Sequence, residues 1–256
     1  MTIEAIDLQV ERLERPVLRD VSVRIEEGAC VSIVGPNGAG KSTLMAALLG
    51  LIPAREGEVR LDGAVLSSLS RRQIAHRIAY VPQLQEGYLG FRVRDVVASG
   101  RYAHLDPLES PGEEDRTAVE RAIDACRIGD LLDRTVDTLS GGERQKVSIA
   151  AALAQQAPGL FLDEPTTALD PAHRVDLIRI MRDCVGSDRT LLVICHDLNL
   201  PLALGGRVVA LCEGEIRFDG PVEVLLDTER LADLFGTPFV LHREIDGSAT
   251  SVHPRP

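Results

Sequence analysis

Tryptophan is absent from this chain and aromatic residues amount to only 3% of it. That leaves little material for platforms on which nucleic-acid bases stack. Dense runs of Lys and Arg are missing too, and 28 basic against 39 acidic side chains give a net charge of −11. An acidic chain of this kind is a poor candidate for gripping a phosphate backbone, so nucleic acid is not expected as a partner. No stretch of 18 apolar residues occurs, so no segment reads as a bilayer span. The first residues, Met1, Thr2, Ile3 and Glu4, lack the basic flank and apolar run expected of a signal peptide. The five cysteines (30, 126, 184, 195 and 212) form no CxxC pair and are odd in number. They read as buried small hydrophobes in a reducing compartment, not as a disulfide or zinc framework.

What is present is ordinary for a folded protein: 256 residues, 45% of them hydrophobic and 26% charged. Strand patterns at 3–10, 21–25, 31–34, 57–63, 78–81, 160–162, 190–195 and 208–211 alternate with helical spacing at 41–49, 93–101, 113–127 and 141–156. The alternation predicts an α/β fold around a largely parallel sheet, with a helical insertion at about 87–157. Residues 244–256, with Gly, Ser, Thr and two Pro, read as a flexible tail.

The chemistry begins at Gly35-Pro36-Asn37-Gly38-Ala39-Gly40-Lys41-Ser42-Thr43, a GxxxxGK[ST] run between an apolar strand and a helix. Glycines let the backbone curl until successive N–H groups face phosphate oxygens, and the following helix adds the partial positive charge of its N-terminus. Lys41 is placed on the β- and γ-phosphates of a nucleotide and the Ser42 hydroxyl on Mg²⁺; the bland alternative is a glycine-rich turn. Downstream, Leu160-Phe161-Leu162 ends in Asp163-Glu164. Strand side chains alternate, so the two carboxylates face different ways and divide the work. Asp163 is assigned to the metal and Glu164 to the attacking water as general base.

Leu139-Ser140-Gly141-Gly142-Glu143 is a second glycine site. Two helical glycines cost about 1 kcal/mol each relative to alanine, yet Ser140 and Glu143 stand at capping-box spacing. The outcome is either a well-capped helix or a bare helix N-terminus suited to phosphate.

In this order the motifs resemble the nucleotide-binding subunit of ATP-binding-cassette (ABC) transporters. The run at 35–43 is similar to the family's Walker A, Gln83 to its Q-loop, 139–145 to its signature, 160–165 to its Walker B, 167–170 to its D-loop and His196 to its switch histidine. The resemblance implies a P-loop NTPase (RecA-like) core with an antiparallel β subdomain at about 1–86 and 158–243, and the helical subdomain at 87–157 inserted in it. It also implies a head-to-tail homodimer. There Ser140, Gly141, Gly142 and Glu143 face the ATP of the partner, Asp170 crosses the interface and His196 contacts the γ-phosphate. Gln83 touches Mg²⁺ and reports nucleotide state to the helical insertion. Without the resemblance His196 reads as a satisfied core histidine.

One position departs from the family pattern. The aromatic residue that usually stacks on adenine is replaced by Arg12, whose planar guanidinium can also stack; a solvated loop arginine is the alternative. Three stretches, 93–102, 196–200 and 231–240, resemble the importer branch for iron chelates and cobalamin. This implies a chain at the cytoplasmic face of the membrane, held there by transmembrane permease subunits and served indirectly by a substrate-binding protein. Tyr88 and Phe91 are candidates for the contact with the permease, with burial in the domain as the alternative. Other expectations are a manganese, zinc or molybdate importer, an exporter, or a soluble ATPase of iron–sulfur assembly or DNA repair. The last would want a basic surface or a coiled-coil insertion between Lys41 and Leu139, and neither is there.

Overall fold

A computed structural model describes residues 1–83, 90–106, 109–167, 169–186, 189–243 and 249–255. In chain order its elements begin with β1 (Ile3–Arg12), β2 (Arg15–Ile25), β3 (Cys30–Val34) and α1 (Lys41–Leu48). Then come β4 (Glu56–Leu61), β5 (Ala64–Val65), α2 (Arg71–Ala75), β6 (Ile78–Val81), α3 (Val93–Ser99), α4 (Glu113–Cys126) and α5 (Gly141–Ala154). The remainder is β7 (Gly159–Asp163), α6 (Pro171–Val185), β8 (Thr190–Ile194), α7 (Asn199–Leu204), β9 (Arg207–Cys212), β10 (Glu215–Pro221), α8 (Val222–Leu225), α9 (Thr228–Phe235), β11 (Phe239–Arg243) and β12 (Ala249–Pro254). No helix among the described residues is long and apolar enough to cross a membrane.

These elements form two compact units, Met1–Leu69 with Thr190–Pro256, and Ser70–Arg189. In the first unit β3 and β8 are buried at every residue and β9 at its four central ones, because parallel strands are covered on both faces. β3 pairs in parallel with β8 (Ile33 opposite Ile194) and with β9 (Ile33 opposite Val209). The antiparallel partner β10 continues from β9. β1, β2 and β4 pair antiparallel in a separate sheet. The alternation from residue 21 onward shows only part of β2, because bulges interrupt the register between Ala5 and Leu8 and between Leu8 and Val10. At the first bulge Asp7 adopts φ 46 and accepts a hydrogen bond from the Ser22 hydroxyl, 2.9 Å. A bulge shifts the side-chain alternation, so a period-2 pattern breaks off there.

The tail expected at 244–256 is corrected over its described part. β12 pairs antiparallel with β11, Leu241 standing opposite Val252, and Val252 is buried. The reason is a partner far away in the sequence, the Asn199 side chain of α7.

The second unit also differs from the 87–157 boundary, since it contains strands as well as helices. β6 and β7 pair in parallel, Val81 opposite Leu162. The Gln155 amide beyond α5 donates to the Ile78 carbonyl at 3.0 Å, so the helices and this strand pair hold together. Arg101 locks α3, α4 and α5. Its guanidinium is buried and donates to Asp115 at 2.8 Å, to the Ala154 carbonyl at 2.9 Å and to the Gln156 amide oxygen at 2.9 Å. Just before it, a Cβ on Gly100 would lie 2.1 Å from the Ala151 carbonyl oxygen, so α3 and α5 approach at a residue without a side chain.

The stretch at 93–102 is thus explained by helix packing. Arg101→Leu is expected to cost about 3–5 kcal/mol, because it strands the carboxylate and two acceptors that the guanidinium satisfied. Denaturant unfolding checks this, and an unchanged midpoint would refute it. Arg101 also holds the Asp115 carboxyl below its usual pKa. The stabilisation from that pair is therefore present above the ordinary carboxylate range and fades as the pH falls through the lowered value.

Candidate functional site

β3 ends at Val34 and the chain turns through Gly35–Gly40 into α1. Gly35 has φ +145, and a Cβ there would sit 2.0 Å from the Leu211 carbonyl oxygen of β9, so only glycine lets the loop start against its neighbouring strand. Lys41 is 5% exposed, and its ammonium donates to the Gly35 carbonyl at 2.8 Å and the Pro36 carbonyl at 2.9 Å. The loop thus wraps around its own cation. Asn37, Gly38 and Ser42 are exposed, whereas Ala39, Gly40 and Thr43 are buried and Pro36 lies between. Thr43 packs inward at the first turn of α1, and the outward hydroxyl is that of Ser42. α1 carries no side-chain cap, so its N-terminal N–H groups keep the partial positive charge that favours anions.

His196 lies at the same edge. It follows β8 as Gly35 follows β3, the two strands run parallel, and the Cys195 N–H donates to the Ile33 carbonyl at 3.1 Å. The ring is exposed, not a core histidine. The C-terminal edge of parallel strands is where α/β folds bind ligands. Arg12 flanks the turn at the tip of the β1–β2 hairpin, opposite Arg15. The turn residues Leu13 and Glu14 take φ 49 and φ 60, and Leu13 is 96% exposed. Arg12 itself is exposed.

In the second unit the parallel pair β6–β7 delivers Gln83 and Asp163-Glu164 to one edge. Asp163 is the last residue of β7 and 6% exposed. Burial, and then the Asp163 charge, push the Tyr80 hydroxyl up to about 12, so this neighbour stays neutral. Glu164 turns at φ 50, which redirects its carboxylate away from a regular strand position. The Gln83 amide donates to Glu164 Oε2 at 2.6 Å, and the Thr167 hydroxyl donates to the same oxygen at 3.2 Å. Two residues given separate duties by sequence are in direct contact. The sequence places Thr167 only in the 167–170 run, and the three-residue spacing to Glu164 is the local signal of their contact. Ala168 of the D-loop and Tyr88 lie outside the described residues. Phe91 is exposed, which removes burial as its explanation.

The capping box at the head of α5 is complete. Glu143 N–H donates to Ser140 Oγ at 3.2 Å, and Ser140 N–H donates to Glu143 Oε2 at 2.7 Å. This backbone bond is the main reason the Glu143 carboxyl sits below its usual range. Gly141 is open to solvent, but a Cβ on Gly142 would fall 2.4 Å from Cγ of His173. His173 is the residue that sequence reasoning missed, because its neighbours are distant or belong to another motif. Its Nδ1 lies 2.6 Å from Asp170 Oδ2, while Asp170 Oδ1 accepts from the Ala172 and His173 N–H groups at 3.0 Å each. These bonds hold the Asp170 carboxyl below its usual pKa and start α6. The signature glycine and the D-loop aspartate therefore share one imidazole. The cysteines are free and four of the five are buried, burial pushing Cys30 up to about 11 and Cys126 up to about 12.

A model of the ABC transporter family matches residues 18–167. The chain is similar to the hemin import ATP-binding protein of Pseudomonas fluorescens (strain Pf0-1), 41% identical over 240 residues, which cover 91% of this chain and 92% of that one. Among solved structures it is similar to a metal-chelate type ABC transporter in an inward-facing conformation, with a TM-score of 0.85 and 25% identity, covering 100% of this chain and 97% of that one. It is also similar to a dimeric ATP-binding cassette in a post-hydrolysis state bound to ADP and Pi, with a TM-score of 0.74 and 25% identity over 86% and 98% of the two chains.

Proposed function

From the premise that this chain belongs to the ABC transporter family, as an ATP-binding subunit that hydrolyses ATP, we propose that it drives uptake of a metal chelate of the haem class. The transport path would be a separate transmembrane permease, with the subunit at the cytoplasmic face of the membrane. The observation that carries the substrate class is the 41% identity to a hemin import subunit over nine-tenths of both chains.

In this reading two copies pair head to tail. The loop at Gly35–Thr43 holds the phosphates, with Lys41 on the β- and γ-phosphates, and Ser140, Gly141, Gly142 and Glu143 face the ATP of the partner copy. Asp170 crosses that interface. Arg12 stacks on the adenine. Mg²⁺ fits the chemistry of the donors, which are all hard oxygens: the exposed Ser42 hydroxyl, the buried Asp163 carboxylate and the Gln83 amide oxygen. When bound, the ion would neutralise phosphate charge. Glu164 takes a proton from the attacking water, and His196 contacts the γ-phosphate. Gln83, bonded to Glu164, passes nucleotide state to the helices of its own unit and so to the permease.

The test is purification from the native membrane in mild detergent, followed by reconstitution with the recovered permease and a haem-loaded binding protein. Recovery with a transmembrane subunit and haem-dependent stimulation of ATP turnover are expected. Recovery without a membrane partner would overturn the transport reading, and stimulation by another cargo alone would overturn the haem class.

A further inference from the structure

The segment read from sequence as a loose tail is clipped to the residues next to His196. Asn199 opens α7, and its side-chain amide pairs with one backbone position of β12 in both directions. Asn199 Nδ2 donates to the Val252 carbonyl at 3.0 Å, and the Val252 N–H donates to Asn199 Oδ1 at 2.9 Å. A primary amide matches a peptide group donor for acceptor, so it can take the place of a neighbouring strand. The same Asn199 reaches back toward His196: its N–H and its Nδ2 donate to Asp197 Oδ1 at 2.8 and 2.7 Å. Val252 is buried, and β12 is held by β11 along its length.

His196 therefore sits between two fixed points. On one side the Cys195 N–H is bonded to Ile33 of β3, two residues before Gly35 of the phosphate loop. On the other, Asp197 is tied through Asn199 to β12. The turn that carries His196 is thus held from two directions, by β3 through Cys195 and by β12 through Asn199, and a group is oriented by the shell that supports it. We propose that Asn199 is a positioning residue for His196, and that the C-terminal strand β12 is its buttress. This rests on the reading that His196 acts in ATP turnover.

The experiment is a double-mutant cycle on the full chain, with ATP turnover, nucleotide titration and thermal melting measured for each variant. Asn199→Ala is expected to lower kcat about tenfold while KM for ATP stays within about twofold, since misorientation of one group affects turnover and not ground-state binding. In a His196→Ala background the same change is expected to lower kcat by less than about twofold further. Wild-type turnover in Asn199→Ala would overturn the proposal, and so would full multiplication of the two effects, which marks a merely structural role. Wild-type turnover in His196→Ala would instead bring down the underlying reading, and the two failures are thus distinct. If Asn199→Ala does not fold, Val252→Pro removes the N–H donor from outside α7, and the same outcomes apply to it.

Discussion

Glu164→Gln is expected to slow ATP turnover by about 10²–10⁴-fold while nucleotide still binds. The substitution keeps the size and shape of the side chain, and an amide oxygen can still accept from the Gln83 amide and the Thr167 hydroxyl, which in the native protein converge on Oε2. What is lost is the ability to take a proton from water. The φ of 50 at position 164 is retained as well, so the turn after β7 need not rearrange. Single-turnover hydrolysis beside an ATP titration separates the two effects. Near-normal turnover would remove Glu164 from the role of base, and loss of binding would show that the carboxylate shapes the nucleotide site.

Lys41→Ala is the second large effect, and it is expected on binding itself. The Lys41 ammonium is buried and held by the Gly35 and Pro36 carbonyls at the centre of its own loop. Its removal subtracts a positive charge from a loop that must hold a polyanion and leaves those carbonyls turned inward without it. A loss of about 3 kcal/mol, or about a hundredfold in Kd for ATP, is expected. A titration curve identical to that of the unaltered protein would refute the assignment. Melting temperature serves as the control for folding, because the same carbonyls orient the loop in the absence of nucleotide.

Much of the site is legible along the chain because its motifs are local. A phosphate loop needs glycine at particular conformations and a lysine at the head of a helix, and both requirements fall within nine consecutive residues. The cap at Ser140 and Glu143 is legible for the same reason: the bonds span three residues. Contacts between motifs carry no such signal. The Gln83–Glu164 bond joins positions 81 apart, and the demand for glycine at 142 comes from His173 on another helix. Arg101 was visible as part of a stretch resembling one branch of the family, but its burial among Asp115, Ala154 and Gln156 was not.

The strand runs show the same division. β3, β7 and β8 are fully buried and read as strands directly. The alternating pattern of β2 breaks off at a bulge, and the Gly, Ser, Thr and Pro of the segment that holds β12 are residues common in loops. Composition alone already set the acidic charge and the lack of an apolar span, and local motifs already specified a phosphate loop, a capped signature helix and a terminal pair of carboxylates. The tertiary structure decided which of these side chains touch, why particular glycines are required, and that β12 is bonded to Asn199, three residues beyond His196. Such matters depend on groups far apart in sequence being brought within hydrogen-bond distance, where a pairing satisfies polar atoms that no local pattern reveals.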